Sequence, residues 1–358
     1  MTQFIPQRLL VTGGAGFIGS NFVHYWTSHY PQTPLWVLDA LTYAGNLNNI
    51  HTLIENHQIS FIQGDINNPV LINDLLNQHQ IDTIIHFAAE SHVDRSILGP
   101  GAFVNTNVLG TFNLLETFRQ YWIGQGKPDH LRFLHISTDE VFGSLAPHEP
   151  SFSETTAYAP NSPYSASKAG SDHLVRSYFH TYGLPTLITN CSNNYGPYHF
   201  PEKLIPLMCV NILLGQTLPV YGDGLNVRDW LFVEDHCRAI DVVLHHAPAG
   251  ETFNIGGNCE ITNIDLITTL CRLMDELALN LPVAPSHRLI TFVTDRPGHD
   301  RRYGMDTTKI KTQLGWLPSV SLEEGLRKTV SWYLNHSDWW MPLLSDDYRR
   351  YYHQVYGT

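Results

Sequence analysis

The chain has 358 residues, of which 43% are hydrophobic and 15% charged, and its formal net charge is -12 at pH 7. This length suits one large domain or two, each with a buried core. An acidic chain lacks the basic surface that non-specific nucleic-acid binding requires. We find no signal-peptide pattern and no run of about eighteen apolar residues. We therefore expect a cytoplasmic protein with neither a membrane nor a nucleic-acid partner.

The cysteines and histidines carry no pattern of a disulfide framework or a metal site. The five cysteines form no CxxC pair and are odd in number. This favours reduced thiols over disulfides or a zinc site. The twenty histidines show no HExxH or other paired ligand spacing, so we predict no metal.

Short apolar runs alternate with helical patterns through the first half of the chain. Near-continuous apolar character predicts buried parallel strands at residues 8–12, 35–39, 59–63, 83–88, 131–137 and 185–190. Helical patterns fill the intervals at residues 17–30, 70–78, 103–122 and 164–182. This alternation predicts an α/β fold, a Rossmann-type doubly wound parallel sheet whose ligand lies beyond the carboxyl ends of the strands. We assign residues 1–190 to this domain.

After residue 190, loops rich in Pro, Gly and Tyr alternate with helices predicted at 263–277 and 322–335. We interpret residues 191–358 mainly as a smaller substrate-binding lobe, with a return of residues 231–245 to the first domain. The C-terminus is aromatic, and its pattern does not distinguish a docked tail from a partner surface; its aromatic residues include Trp339, Trp340, Tyr348, Tyr351 and Tyr352.

A glycine-rich turn follows the first predicted strand and precedes a helix. Gly13 permits a tight turn, Gly16 lets the backbone approach a diphosphate, and Gly19 lets helix and strand pack closely. Phe17 and Ile18 begin the helix, whose free N–H groups and positive dipole end attract the anion. Such glycines alone also fit a mere turn, but the strand–turn–helix context favours a dinucleotide site.

The second strand ends at Asp39, about twenty residues beyond the glycines. A carboxylate there accepts hydrogen bonds from a ribose hydroxyl and repels a 2′-phosphate, and no arginine stands beside it in residues 39–43. NAD is therefore favoured over NADP, and a plain helix cap is the alternative role for Asp39. The remaining predicted cofactor contacts follow strand ends or neighbour them: Ala40, Leu41, Thr42, Asp65, Ile66, Phe87, Ala88, Ala89, Glu90, Ser91 and Thr106.

The fifth strand leads into Thr138, Asp139 and Glu140, and Tyr164 and Lys168 follow at i and i+4 on a predicted helix. That spacing places the phenol and the ammonium on one helical face. We expect the Lys168 cation to lower the pKa of Tyr164, which makes the phenol a candidate base for a sugar hydroxyl. Lys168 can also bond the nicotinamide ribose.

These features resemble the extended short-chain dehydrogenase/reductase family. Further motifs resemble the dTDP-glucose 4,6-dehydratases over residues 9–333: STDEV at 137–141, CSNNYGPY at 191–198, PEKLIP at 201–206, RDW at 228–230 and DRPGHD at 295–300. The pair Asp139 and Glu140 is the specific signal, because most relatives that only oxidise or epimerise lack it. Phe142 departs from the tyrosine that many relatives carry.

The resemblance implies a lyase of nucleotide-sugar metabolism that oxidises dTDP-glucose at C4 with NAD, removes water across C5–C6 and returns the hydride to C6. It makes Glu140 the base at C5 and Asp139 the acid at C6. It also implies that Thr138, Tyr164 and Lys168 take part in the oxidation at C4. Asp139 must then be protonated, through a pKa raised by burial or by Glu140. A solvated charge pair is the alternative interpretation of the two acids.

The resemblance also implies a nucleotide-sugar site in the second lobe. It places Arg228 and Arg296 at the diphosphate, for which the guanidinium fork is suited. Asn263, at a helix start, is either a third donor or an N-cap. The implied base-binding wall consists of Lys203, Leu204, Pro219, Val220 and Tyr221, and the implied sugar contacts are Ser91, Thr138 and Asn193. Asn194 is placed on the nicotinamide side. The last implied contacts belong to one loop: Asp295, Pro297, Gly298 and His299.

Members of this family commonly pair through a four-helix bundle, which the helices at 103–122 and 164–182 could build, so we expect a homodimer. Two alternative functions stay open: another nucleotide-sugar 4-epimerase or 4,6-dehydratase acting on UDP- or GDP-sugars, and a non-catalytic dinucleotide-binding sensor. The presence of both Tyr164 and Lys168 argues against the sensor.

Overall fold

The computed structural model describes residues 3–356. In the first half, strands alternate with helices. The strands are β1 (Leu9–Thr12), β2 (Leu35–Asp39), β3 (Ser60–Gln63), β4 (Thr83–His86), β5 (Arg132–Thr138), β6 (Thr186–Cys191) and β7 (Asn193–Tyr195). The helices are α1 (Phe17–His29), α2 (His51–Glu55), α3 (Pro69–His79), α4 (Val93–Leu98), α5 (Pro100–Phe103), α6 (Thr111–Gly124) and α7 (Pro163–Tyr182).

The second half has shorter strands and longer loops. Its strands are β8 (Leu218–Tyr221), β9 (Val227–Phe232), β10 (Thr252–Ile255), β11 (Glu260–Thr262) and β12 (Ile290–Val293). Its helices are α8 (Leu204–Leu214), α9 (Val233–His246), α10 (Asn263–Leu277), α11 (Thr308–Leu314), α12 (Leu322–Asn335), α13 (Ser337–Trp340) and α14 (Asp346–Tyr356). Single 3₁₀ turns occupy Leu47–Asn49, Asp139–Phe142, Ser286–Leu289 and Met341–Leu343. Across residues 3–356, no helix has both the length and the apolar character needed to cross a bilayer.

A seven-stranded parallel sheet forms the centre, in the order β10-β6-β5-β4-β1-β2-β3. Its strands are apolar on both faces because helices cover both sides, as the continuous apolar runs require. In register, Val11 pairs with Val37 on one side and with Ile85 on the other. The strand order reverses beside β1, which opens a crevice at the carboxyl ends of β1 and β4. The predicted Rossmann-type doubly wound sheet is confirmed.

Helix α7 begins where its sequence supplies a complete N-terminal cap. Ser162 accepts the backbone N–H of Ser165, the Ser165 hydroxyl accepts that of Ser162, and Pro163 occupies the first turn. Gly183 ends the helix with φ of 74°. This start places Tyr164 within the first turn, next to the end of β5.

The helix predicted at 103–122 belongs to a longer run from α5 to α6. Between them, Val104–Gly110 forms a π-helical segment. Asn107 lies in this segment, and its amide accepts the Glu90 N–H and donates to the Glu90 carbonyl, both at 2.9 Å. The π-helical turn therefore holds the chain that follows β4, as such turns often do beside functional sites.

A second hydrophobic core lies between α8, α10 and α12, and includes Leu270, Met274 and Val330. By contrast, α9 packs on α1 within the first core, through Ile240 and Val243. Strand β10 then pairs with β6 in the central sheet. The segment that packs on the first core thus runs past the predicted 231–245, because β10 completes the sheet edge. The division near residue 190 stays a prediction.

The aromatic C-terminus docks on the rest of the chain. Trp339 Nε1 donates to Asn49 Oδ1 at 2.8 Å, and Tyr348 Oη donates to the Pro201 carbonyl at 3.1 Å. Buried indole and phenol groups with satisfied donors are typical of a packed interface. Of the two alternatives for this tail, the structure shows intramolecular docking.

Candidate functional site

A cavity of about 410 Å³ extends from the carboxyl ends of the central strands to the second lobe. All the predicted site residues line it except Leu41, Asp295, Pro297 and Gly298. Residues that are far apart in the sequence therefore meet in one place, as ligand sites at a switch point do. Among residues 3–356, no group of three or more His, Cys, Asp or Glu side chains is arranged to hold a metal.

The four exceptions lie next to residues that line the cavity. Leu41 has φ of 51°, donates its N–H to Asp39 Oδ1 at 2.8 Å and packs its side chain into the first core. Asp295 Oδ1 accepts the Arg296 N–H and lies 2.6 Å from His299 Nδ1. Pro297 and Gly298, with φ of 65° at Gly298, form the intervening turn. The assignment of these four residues as cofactor or substrate contacts stays a prediction, since they adjoin the cavity lining without being part of it.

The dinucleotide end of the cavity is built on the glycine turn. Gly13 has φ of 73°, and a Cβ there would lie 2.5 Å from the Ala88 backbone nitrogen. A Cβ at Gly19 would collide with the Gly13 carbonyl. The N-terminus of α1 carries no side-chain cap, and its first residues, Phe17 and Ile18, line the cavity. These features fit a dinucleotide diphosphate.

Asp39 is buried at the end of β2. Its carboxylate accepts the N–H groups of Ala15, at 2.9 Å, and of Leu41. Burial raises its pKa, and these two backbone hydrogen bonds oppose the rise. The alternative role as a plain helix cap is wrong, because the carboxylate braces the glycine turn and lines the cavity.

The catalytic end begins where β5 passes into a 3₁₀ turn capped by Thr138. Asp139 is 1% exposed; its Oδ1 accepts the Thr138 hydroxyl at 3.2 Å, and its Oδ2 has no hydrogen-bond partner. Burial, and next the Glu140 charge, raise the pKa of Asp139 well above its usual value. The surroundings of this carboxyl therefore favour its protonated form.

Glu140 lines the same cavity and is half-buried. Burial raises its pKa, while the charges of Arg296, Lys203 and Arg228 lower it. Asp139 has only Arg228 as a cation that lowers its pKa. Both carboxyl pKa values are raised, that of Asp139 more strongly, because three cations oppose the rise at Glu140. A solvated charge pair is the wrong interpretation of these two acids.

Tyr164 and Lys168 share one face of α7 and both line the cavity. The Lys168 ammonium donates to the Ile136 carbonyl at 2.8 Å and lies 3.4 Å from His135 Nε2. Burial, and next the Glu140 charge, raise the pKa of Tyr164 well above its usual value, and the Thr138 hydroxyl lowers it. The expectation that Lys168 lowers the pKa of Tyr164 is therefore wrong here, because its ammonium faces the β5 backbone.

Three cationic side chains surround the second-lobe end of the cavity. Arg228 donates to the Asp300 carbonyl at 2.9 Å, and its guanidinium stacks 4.2 Å from the centre of the Tyr303 ring. Arg296 forms an ion pair with Asp94 of α4 at 3.2 Å. The Lys203 ammonium donates to the Ser91 carbonyl at 2.6 Å. This concentration of positive charge suits an anionic ligand despite the acidic net charge.

Asn263 is the first residue of α10, and Thr262 is its N-cap. The N-cap interpretation of Asn263 is therefore wrong. Its Oδ1 is buried without a protein hydrogen-bond partner, and the residue lines the cavity. A buried amide oxygen without a partner is available to a ligand.

Several cavity residues were not predicted from the sequence, and they include His92, Asp94, Glu202 and Tyr356. His92 and Asp94 follow Ser91 closely, so the strand-end argument could have included them. Tyr348, Tyr352 and Tyr356 recur every four residues, which indicates one apolar helical face. That period could have identified α14 as a docking helix, although not its position.

Comparison with known proteins agrees with this geometry. Residues 10–329 match the family model described as GDP-mannose 4,6 dehydratase. A dTDP-glucose 4,6-dehydratase from Xanthomonas campestris pv. campestris (strain B100) is 56% identical over 342 residues, which cover 95% of this chain and 97% of that protein.

Two solved structures are also similar. The dTDP-glucose 4,6-dehydratase of Streptomyces venezuelae, with NAD and TYD bound, superimposes with a TM-score of 0.85 and is 47% identical, covering 94% of this chain and 99% of that one. The same enzyme from Bacillus anthracis str. Ames, in complex with NAD, has a TM-score of 0.84, 46% identity and the same coverage. This chain belongs to the dTDP-glucose 4,6-dehydratase family.

Proposed function

We propose that the chain is an NAD-dependent hydro-lyase that converts dTDP-glucose into dTDP-4-keto-6-deoxyglucose and water. One observation carries the proposal: buried Asp139, whose surroundings raise its pKa, and Glu140 line the same cavity as Tyr164 and Lys168. Simple oxidation or epimerisation at C4 needs only the tyrosine and lysine. Elimination also needs an acid and a base on neighbouring carbons, and the two acids supply them.

The dinucleotide is held by the glycine turn, the N-terminus of α1 and Asp39. The Asp39 carboxylate disfavours a 2′-phosphate, so NAD is preferred over NADP. When bound, NAD supplies reversible acceptance of a hydride, taken from C4 of the sugar and returned at C6. The predicted contacts at the ends of β3 and β4 enclose its adenine and nicotinamide portions.

Tyr164 accepts the O4 proton as a phenolate, so it must lose its phenol proton before the first step. The Thr138 hydroxyl stabilises that phenolate, because hydrogen bonds to a charged form favour it. Thr138 Oγ1 also lies 3.2 Å from Asp139 Oδ1, which accepts its single hydrogen when Tyr164 does not. Lys168 lies on the same face of α7 as Tyr164, and the Ile136 carbonyl accepts a hydrogen bond from its ammonium. We assign this part of the cavity to the nicotinamide ribose.

Elimination follows because the 4-ketone acidifies the C5 proton. Glu140, surrounded by Arg296, Lys203 and Arg228, removes that proton and later returns it to C5. Asp139 gives its proton to the C6 hydroxyl, which leaves as water. After one turnover Tyr164 carries the O4 proton and Asp139 lacks one, so a proton must pass from Tyr164 to Asp139 to restore the starting forms. The Thr138 hydroxyl, which bonds both side chains, offers a path for it.

The nucleotide diphosphate lies between Arg228 and Arg296, and the Asn263 side chain, which lines the cavity, offers the N–H of its amide as a third donor. Lys203, Leu204 and the β8 residues Pro219, Val220 and Tyr221 form the wall for the base. The tyrosine ring can stack on a pyrimidine. Ser91 and Asn193 contact the sugar, and Asn194 faces the nicotinamide.

We also propose a cytoplasmic homodimer. Large apolar side chains are exposed along the helical run from α4 to α6: Leu98 by 54%, Val104 by 55%, Leu109 by 46% and Phe112 by 40%. An exposed apolar surface of this kind favours association, and a bundle with α7 would bury it. Sedimentation of the purified protein tests the dimer.

Incubation of the purified protein with dTDP-glucose, followed by mass analysis, tests the function. We expect loss of one water and an alkali-absorbing keto product, with less turnover of UDP-glucose and GDP-mannose. A product of unchanged mass would indicate an epimerase. No turnover of any nucleotide sugar, together with low NAD occupancy, would favour the dinucleotide-binding sensor instead.

A further inference from the structure

Arg95 lies outside the residues assigned to the reaction and connects three parts of the cavity wall. Its guanidinium is stacked between two aromatic rings, 4.1 Å from the centre of Tyr43 and 4.3 Å from that of Tyr351. Its Nε donates to Glu202 Oε2 at 2.8 Å, and the Glu202 side chain is 1% exposed. Two rings and one carboxylate thus fix the position of this side chain.

The partners of Arg95 belong to different elements of the site. Tyr43 lies in the loop after Asp39 and lines the cavity beside the dinucleotide end. Glu202 precedes Lys203, which is assigned to the nucleotide base. Tyr351 lies on α14, and its hydroxyl is 3.2 Å from His92 Nδ1. Arg95 therefore joins the cofactor loop, the base wall and the C-terminal helix.

Helix α14 covers the nucleotide end of the cavity. Tyr356, near its end, lines the cavity, and its ring centre lies 5.7 Å from that of Tyr221. The side of the helix that faces the protein is aromatic, whereas Arg349 and Arg350 are 67% and 77% exposed. Tyr348 and Tyr352 also hold the helix: the Tyr348 hydroxyl donates to the Pro201 carbonyl at 3.1 Å, and the Tyr352 hydroxyl accepts from the Asn211 amide at 3.1 Å. The Arg95 stack adds a contact at Tyr351, between these two tyrosines.

We propose that Arg95 is a positioning residue that holds α14 closed over the nucleotide sugar by stacking between Tyr43 and Tyr351. The inference rests on the proposed function. Arg95 acts through its neighbours and does not touch the reacting carbons. Loss of the stack opens α14 and weakens nucleotide-sugar binding, while the acids and the tyrosine keep their places. The effect is therefore on KM more than on kcat.

Tyr351→Leu is the main test, because it removes the ring on α14 and leaves the ion pair of Arg95 with buried Glu202 intact. We expect KM for dTDP-glucose to rise about tenfold, which corresponds to about 1.4 kcal/mol, with kcat near the wild-type value. Arg95→Lys keeps the charge but loses the planar stacking surface, and its KM should be intermediate. His353→Leu, on the exposed side of the same helix, is the matched control and should behave as wild type.

Limited trypsin digestion of the NAD-loaded protein without substrate gives a second readout. Cleavage after Arg349 or Arg350, followed by mass spectrometry, should be faster in Tyr351→Leu than in wild type and His353→Leu. Addition of dTDP should slow it in wild type. Wild-type KM and wild-type cleavage in both Tyr351→Leu and Arg95→Lys would overturn the inference. If the wild-type protein fails to turn over dTDP-glucose, the proposed function fails, and the digestion still tests the closure of α14.

Discussion

Replacing Asp139 by asparagine should separate the two halves of the proposed reaction. The amide fills nearly the same volume as the carboxyl but cannot give a proton to the C6 hydroxyl. Tyr164 and Lys168, on which oxidation at C4 depends, are unchanged in this variant. Elimination across C5–C6 loses its acid.

The size of the effect follows from the surroundings of Asp139. Loss of a general acid lowers a rate by about 10²–10⁴-fold, or about 2.7–5.4 kcal/mol. Asp139 is 1% exposed and its Oδ2 has no partner, so bulk water cannot easily take over proton donation. We therefore expect kcat to fall toward the upper end of this range.

Stability should not fall with activity. The raised pKa of Asp139 costs folding free energy above its ordinary pKa of 3.8, because the buried carboxyl resists ionisation. Asparagine is neutral at every pH and removes that cost. The thermal unfolding midpoint at neutral pH should be equal to or above that of wild type.

Stopped-flow absorbance provides the assay. Mixing Asp139→Asn with dTDP-glucose should produce a reduced-nicotinamide signal that persists, because oxidation proceeds and elimination stalls. Wild type should show only a small transient. Turnover within tenfold of wild type, on the scale where each tenfold is about 1.4 kcal/mol, would refute the assignment of Asp139 as the acid.

Tyr164→Phe removes the base for O4, so kcat should fall about 10²–10⁴-fold with no reduced-nicotinamide signal in the same assay. Asp39→Asn removes the charge that disfavours a 2′-phosphate, so the preference for NAD over NADP in competition binding should fall about tenfold. Asp241→Asn breaks the 2.8 Å pair with His245, and should lower the free energy of unfolding by about 3 kcal/mol near pH 5.5 in urea titrations. The pKa of Asp241 is lowered and that of His245 raised, so this loss should shrink as pH falls below about 4 or rises above about 7.

Each of these predictions has a contrary result. A persistent reduced-nicotinamide signal in Tyr164→Phe would show that another group accepts the O4 proton. Unchanged NAD preference in Asp39→Asn would mean that this carboxylate serves only the glycine turn. A stability loss in Asp241→Asn that is constant between pH 4 and 9 would show that the charges of Asp241 and His245 do not contribute to stability.

Strand ends were the part of the site that the sequence predicted best. Parallel strands place their carboxyl ends at one edge, so Asp39, Asp65 and Asp139 had to lie near the same crevice. The i, i+4 spacing likewise placed Tyr164 and Lys168 on one face. These relations are local or follow from the sheet alone.

Other features depend on tertiary packing that no local pattern contains. The direction of the Lys168 ammonium is set by the Ile136 carbonyl on strand β5. The pKa of Tyr164 is raised by burial, which outweighs the effect of any nearby cation. The contact of Arg95 with Tyr351 of α14 joins residues that are far apart in the sequence. Strand β10 joins the sheet after the second lobe has begun, and its short apolar run gives no sign of which sheet it enters.

The fate of the C4 hydrogen tests the central claim most directly. Purified protein should be incubated with dTDP-glucose carrying deuterium at C4, and the product examined by NMR and mass spectrometry. The closed cycle of oxidation, elimination and hydride return predicts a 4-keto-6-deoxy product with deuterium at C6 and no added NAD consumed. Deuterium lost to solvent, or a product that has not lost water, would contradict it.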